Sequence, residues 1–289
     1  MSSCRCRLAL VRWRTPRQST RYHDCLERQV IMTRERRTAG ENHPITAEDV
    51  RSDIDVLLWS MKLSSVRRFF HQRFWEDETA DAEYASRIEA FPRLESVAEH
   101  SWHVADAVLL LGPHFSEVDI GRCLALAILH DKLEIITGDR NPIGRDGTGA
   151  ATHAFDEGAR LRKEALESDA LEVYLGKLRH SARHIHAEAF GELGNRNNVN
   201  ARFVRAVDKL QALAFVILKK KGNLEDRHLD FTLRYSERSV ELFPNLQSHY
   251  QELRCRLVRQ VSERRGCTPE EVVAGLSSNQ LVLPLGEDE

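Results

Sequence analysis

The chain is short of the residues that build turn-rich or cross-linked folds. Its 289 residues include only 8 Pro and 15 Gly, which argues against an all-β fold of many short strands. Six Cys are present, at positions 4, 6, 25, 123, 255 and 267, and none forms a CxxC pair. No disulfide framework is visible, so a reducing compartment is expected, by default the cytoplasm. Long apolar runs are missing too: Cys123–Leu129 and Ala212–Leu218 reach only seven residues each. A membrane span needs about 18, so none is expected. There is no G-x-x-x-x-G-K-[ST] loop, and the glycines between Gly144 and Gly149 lack its Lys, which excludes Walker-type ATP chemistry. No internal repeat or heptad run appears. What remains is 42% apolar and 30% charged, the composition of a soluble globular protein with one large domain or two small ones.

The net charge of −2 hides an asymmetry. Residues 1–40 hold ten Arg, from Arg5 to Arg37, against Asp24, Glu27 and Glu35. The rest of the chain is therefore clearly acidic. The basic segment has no 7–15-residue apolar stretch of the secretory kind. It reads as a disordered tail over 1–42, or as translated upstream sequence with the working start at Met32 or Met61. The competing reading is a nucleic-acid-binding arm. The hydrolase-like region is expected over 43–265, with a loosely attached C-terminal tail over 266–289.

The periodicity is helical almost throughout, giving an all-α fold class. Thr46-Ala47-Glu48-Asp49 and Ser96-Val97-Ala98-Glu99 are helix starts, the second of S-x-x-E capping-box form. The helix from Ser96 should end near Gly112-Pro113. Residues 121–134 read as a buried helix, apolar all round from Leu124 to Leu129. Residues 140–152 form a Gly-rich polar loop, 154–190 return to helix, and Gly191–Asn200 reads as a linker. A strong helix follows over Ala201–Leu218, and 225–264 adds two more.

Four polar residues fall on faces where a helical core wants none. His100 shares a stripe with Val104, Ala107 and Leu111. His130 and Asp131 end the most apolar helix. Asp208 shares a face with Val204, Ala212 and Phe215. A lone buried carboxylate is costly unless paired, hydrogen-bonded or bound to a cation. Two imidazoles and two carboxylates suit Mn, Co, Fe, Ni or Zn, and the absence of thiolates argues against a structural zinc site. Taken one at a time, each His is more often an ordinary core residue.

The order His100, then His130-Asp131, then Asp208 resembles the H…HD…D signature of the HD-domain metal-dependent phosphohydrolases. Glu95–Ser101, His130-Asp131-Lys132-Leu133-Glu134 with Gly138-Asp139, and Ala206–Leu210 are similar to three segments of the 5'-deoxynucleotidase branch. The resemblance covers about residues 55–245. It implies a compact helical bundle holding one divalent metal through His100, His130, Asp131 and Asp208, between three helices. It also implies catalytic roles for Glu134 and Asp139, acting on water and leaving group. Glu134 is four residues beyond His130, one helical turn on, where a carboxylate can act on a water whose pKa the metal lowers. Asp139 follows Gly138 in a turn. Arg93 matches a basic position of the pattern, and it and Arg87 are the expected phosphate-binding residues. Arg140, Arg145 and Lys209 are further candidates. Trp75 and Trp102 could stack on a base, but buried core positions are the better expectation. His180, His184 and His186 look like a solvated face.

The loop after Asp139 departs from the nucleotidase pattern and is expected to line the site, with His153. Glu134 is followed by Ile135 rather than a second acid, unlike the guanosine-polyphosphate hydrolases. The HDxGK and GYP segments of cyclic-dinucleotide phosphodiesterases are absent. The expected function is a phosphohydrolase releasing phosphate from (deoxy)nucleoside 5'-monophosphates. The alternatives are a nucleoside triphosphate triphosphohydrolase and a non-catalytic nucleotide-binding module. The resemblance further implies a homodimer.

Overall fold

The helix starts legible in the sequence are closed by real caps. The computed structural model describes residues 46–68 and 94–276. Helix α1 (Ala47–Ser60) begins on Thr46, whose side chain accepts from Asp49 N while Asp49 reaches back to Thr46 N. Helix α2 (Val97–Leu111) begins on the same reciprocal arrangement between Ser96 and Glu99. Each box satisfies N–H groups that a helix start leaves orphaned. Helix α2 ends at Leu111 with Gly112 as its C-cap, as expected, and a short 3-10 turn follows.

Helix α3 (Ile120–Leu129) is shorter than its sequence pattern. The chain leaves it through a tight turn in which Lys132 N bonds to Leu129 O and Glu134 N to Asp131 O. Helix α4 (Glu134–Thr137) then forms separately and ends on Gly138, at φ 70°. His130 and Glu134 therefore do not sit one turn apart on a continuous helix. Nor is α3 buried all round, since Ile128 is 56% exposed. Only its Cys123, Leu126, Ala127 and Leu129 side is covered.

Helices α5 (Glu157–Lys177) and α6 (His180–Gly194) divide the stretch expected as helix over 154–190. The expected linker shrinks to four residues, 195–198, because Asn198 caps α7 by accepting from Ala201 N. Helix α7 (Val199–Lys220) is the central element. It packs against α2, α3, α8 (Asp226–Leu242) and α9 (Gln247–Arg265). Its buried Phe203, Val204, Val207, Leu210 and Leu213 supply much of the main core, and Phe203 joins Phe115 and Phe243 in an edge-to-face aromatic cluster.

The packed region continues past residue 265. Helix α10 (Pro269–Ala274) has a Thr268 capping box and lies against α9, burying Val272 and Leu276. The boundary drawn at 265/266 thus cuts through packed structure. At the other end α1 is docked: Trp59 meets the Tyr174 ring at 5.9 Å, and Arg179 bridges Asp49 and Asp53 at 3.0 and 2.7 Å. A start at Met61 would remove this helix. Among the described residues there is no β-strand, only an isolated bridge between Arg67 and Ser96. No described helix is long and apolar enough to cross a membrane.

Candidate metal centre and substrate cleft

Helices α2, α3 and α7 of the bundle core each deliver one part of the site. The α2 capping box sets His100 in the first turns of its helix, where it is fully buried. The end of α3 presents His130 and then Asp131, and the middle of α7 presents Asp208. The donor atoms converge. His100 Nε2 lies 3.0 Å from Asp208 Oδ1, 3.5 Å from Asp131 Oδ2 and 3.2 Å from His130 Nε2. His130 Nε2 lies 3.2 Å from Asp131 Oδ2. Among the described residues His100, His130 and Asp208 form the group whose donor atoms all fall within 4.8 Å of one another.

The other imidazole nitrogens fix the tautomers. His130 Nδ1 lies 2.7 Å from Ala127 O, so Nδ1 carries the proton and donates it. His100 Nδ1 lies 2.7 Å from Gln211 Oε1, and Gln211 is oriented by donating its Nε2 to Glu95 Oε1 at 3.3 Å. Both Nε2 atoms therefore present lone pairs to one another and to two carboxylates. Such a set lacks a hydrogen-bond donor unless an imidazolium forms. Burial works against the charged form of His130, but Asp131 and then Asp208 outweigh it and raise its pKa. Burial and Arg68 lower that of His100. Burial pushes the Asp208 carboxyl up, yet Lys209 and His100 more than offset this. A divalent cation satisfies all four groups at once, and the backbone and side-chain anchors behind the rings are what metal-binding histidines require.

Glu95 anchors a wider network. It is 4% exposed, pairs with Arg68 at 2.8 Å and accepts from His103 Nδ1 at 2.9 Å. Burial alone would raise its pKa, but His103 and Arg68 bring it below the ordinary carboxylate value.

Asp131 and Asp208 open onto a cleft that is open to solvent on one side. Glu134 and Asp139 line the same cleft, as do Arg68, Arg140, Lys163 and Lys209. Glu134 is 6% exposed, and its Oε2 is buried with no hydrogen-bond partner. Burial first, then Asp131 and Asp139, raise its pKa well above the ordinary value. Asp139 reaches the cleft because Gly138 turns the chain at positive φ.

The loop after Asp139 is a built wall. Ile143 and Ala154 pack on Phe231 of α8, and Gly149 N bonds back to Ile143 O. A Cβ at Gly149, where φ is 72°, would come within 2.4 Å of the Phe231 ring. His153 lines the cleft as expected, whereas Arg145 is exposed outside it.

Six of the eight expected site residues are thus brought together. Arg93 and Arg87 lie outside the described residues, as does Trp75. Trp102 is 64% exposed on α2, so it is not buried core, and it is not among the described residues that line the cleft. His184 lies 3.4 Å from Glu188, and His186 meets the Tyr174 hydroxyl at 2.7 Å. Sequence reasoning missed Arg68, Glu95 as an anchor, Lys163 and Gln211. Only Gln211 carried a signal, three residues after Asp208 on one helix face.

A family model described as "HD domain" matches residues 85–248. The 5'-deoxynucleotidase hdd1 of Schizosaccharomyces pombe is 28% identical over 139 residues, covering 48% of this chain. The match spans 65% of that relative, less than two thirds of its length. The crystal structure of a "predicted metal-dependent phosphohydrolase" from Magnetospirillum magnetotacticum superposes with a TM-score of 0.51 at 23% identity. It covers 75% of this chain and 97% of that one, a likeness of fold.

Proposed function

This chain belongs to the HD-domain family, and from that premise we propose that it is a metal-dependent phosphohydrolase releasing phosphate from nucleoside 5'-monophosphates. The observation that carries the reading is the convergence of His100, His130, Asp131 and Asp208 at a cleft that also holds Glu134 and Asp139. These four side chains would hold the ion. When bound, a divalent ion supplies charge for the phosphoryl oxygens and acidifies water. Glu134, poorly solvated and without a partner at Oε2, takes the proton of the attacking water. Asp139 approaches from the turn after Gly138 and serves the leaving oxygen. The 28% identical 5'-deoxynucleotidase supports the nucleotide class.

Charge favours monophosphate over triphosphate. Four basic side chains (Arg68, Arg140, Lys163, Lys209) and four acidic ones (Asp131, Glu134, Asp139, Asp208) line the cleft. They balance, so a divalent ion leaves a surplus matching a phosphomonoester dianion. A triphosphate carries about twice that charge, and among the described residues no further basic side chain lines the cleft to meet it.

The deciding experiment measures product release from deoxy- and ribonucleoside mono- and triphosphates with Mn, Co, Ni, Zn and Mg in turn. Orthophosphate from monophosphates is expected. Triphosphate release would move the assignment to the triphosphohydrolase, and no turnover with any metal would leave a binding module. The anchor behind His100 gives a second check. Gln211→Leu removes the acceptor of the His100 Nδ1 proton, and metal affinity should fall about 10–100-fold. Calorimetric metal titration tests this, and an unchanged affinity would refute the anchoring role.

A further inference from the structure

The basic side of the cleft enters the charge balance above, but no group in it has yet been given a contact with substrate. Lys163 of α5, Lys209 of α7, and Arg140 and His153 of the loop line it together. Lys163 comes from the largely exposed N-terminal half of α5, yet its side chain is drawn into the cleft and only 26% exposed. It pairs with Glu167 Oε1 at 3.0 Å. Burial disfavours its charge, but Glu167, Asp131 and Glu134 hold the ammonium well above its ordinary pKa.

His153 behaves oppositely. Burial, followed by Lys163, Lys209, Arg140 and Arg238, pushes its imidazole down to about 3. It stays neutral and keeps an N–H donor close to these basic side chains. The loop holds it in place: Ala154 N donates to the Thr152 hydroxyl at 3.2 Å, and Arg238 donates to Ala154 O at 2.6 Å. Ammonium groups around a neutral donor, beside the carboxylates of the metal cluster, make a receptor for a multiply charged oxyanion.

We propose that Lys163 and His153, with Lys209 beside them, form the subsite that takes the phosphoryl group of the substrate and retains it as the phosphate product. The identity of the anion rests on the phosphohydrolase reading; the existence of the subsite does not. Lys163 would touch the phosphoryl oxygens directly, and His153 would donate to one of them.

The test titrates inorganic phosphate into the full-length protein as purified with its metal, followed by calorimetry, for the parent, Lys163→Met, Lys163→Arg and His153→Phe. Phosphate affinity should fall about tenfold or more in Lys163→Met, the worth of one charge-assisted hydrogen bond, and recover most of the way in Lys163→Arg. His153→Phe should weaken it by a smaller factor. The KM for a phosphomonoester should follow the phosphate affinity while kcat changes less, a split that a folding defect would not produce. Equal phosphate affinity in parent and Lys163→Met, or no phosphate binding by the parent, overturns the subsite. If no nucleotide is hydrolysed but phosphate binding still depends on Lys163, the nucleotidase reading falls and the subsite stands.

Discussion

Replacing Asp208 by Ala should reduce kcat/KM by about a thousandfold or more and lower metal content below one ion per chain. Asp208 Oδ1 is the carboxylate oxygen nearest His100 Nε2, at 3.0 Å, and Oδ2 is 2.7 Å from Lys209 Nζ. Its removal therefore strikes the proposed ion and leaves a largely buried ammonium without its partner. Breaking such a pair from one side costs on the order of 3 kcal/mol, so the variant should also melt earlier. Asp208→Asn separates the two effects, because it keeps the volume and loses only the charge. Elemental analysis for metal, run with phosphate release, is the measurement. Wild-type metal content and turnover in Asp208→Ala would remove this residue from the centre.

Glu134→Gln should behave differently: kcat falls about 10²–10⁴-fold while the metal stays bound. The pH profile carries the sign. Burial, and then Asp131 and Asp139, raise the Glu134 pKa, so its charged form appears only at higher pH than for an ordinary glutamate. A bound cation opposes that shift without changing the logic. If Glu134 takes the proton, the parent's rate climbs with pH through that pKa, and the Gln variant shows no such limb.

Stability runs the other way in protein stripped of metal. The folded form keeps a proton that the unfolded chain loses above the ordinary value of 4.5. Glu134 therefore contributes stability below that pH, and the contribution is lost as pH rises through the folded pKa. Metal-stripped Glu134→Gln should consequently gain melting temperature over the parent at pH 8 and show no gain at pH 4. A pH-independent difference would mean that Glu134 is not a buried acid.

The sequence exposed the candidate site residues better than their setting. His100, His130, Asp131 and Asp208 were legible because polar groups on apolar helical stripes contradict the local pattern, and because three motifs follow one another in order. The Ser96–Glu99 box was legible because capping is a matter of residues three apart. Periodicity could not show that α3 stops at Leu129: the apolar run continues to the histidine, and only the tight turn through Lys132 separates Glu134 from it. Nor could it show the exposure of Ile128, which depends on what packs where. Arg68 and Lys163 look like solvated charges locally, and their inward placement is set by Glu95 and by the turn that carries Glu134. Cleft walls of this kind are properties of tertiary packing, with no periodic trace.

Arg68 has a consequence beyond lining the cleft. It holds Glu95, Glu95 holds the amide of Gln211, and Gln211 holds the ring of His100. One guanidinium thus belongs both to the lining of the proposed substrate cleft and to the scaffold that orients the His100 ring. On the proposed function the two binding events share a single network, and thermodynamic reciprocity then applies: whatever factor an anion at Arg68 imposes on metal affinity, the metal imposes on the anion. Ion and substrate should be read as a linked pair, with each one's dissociation constant meaningful only at a stated concentration of the other.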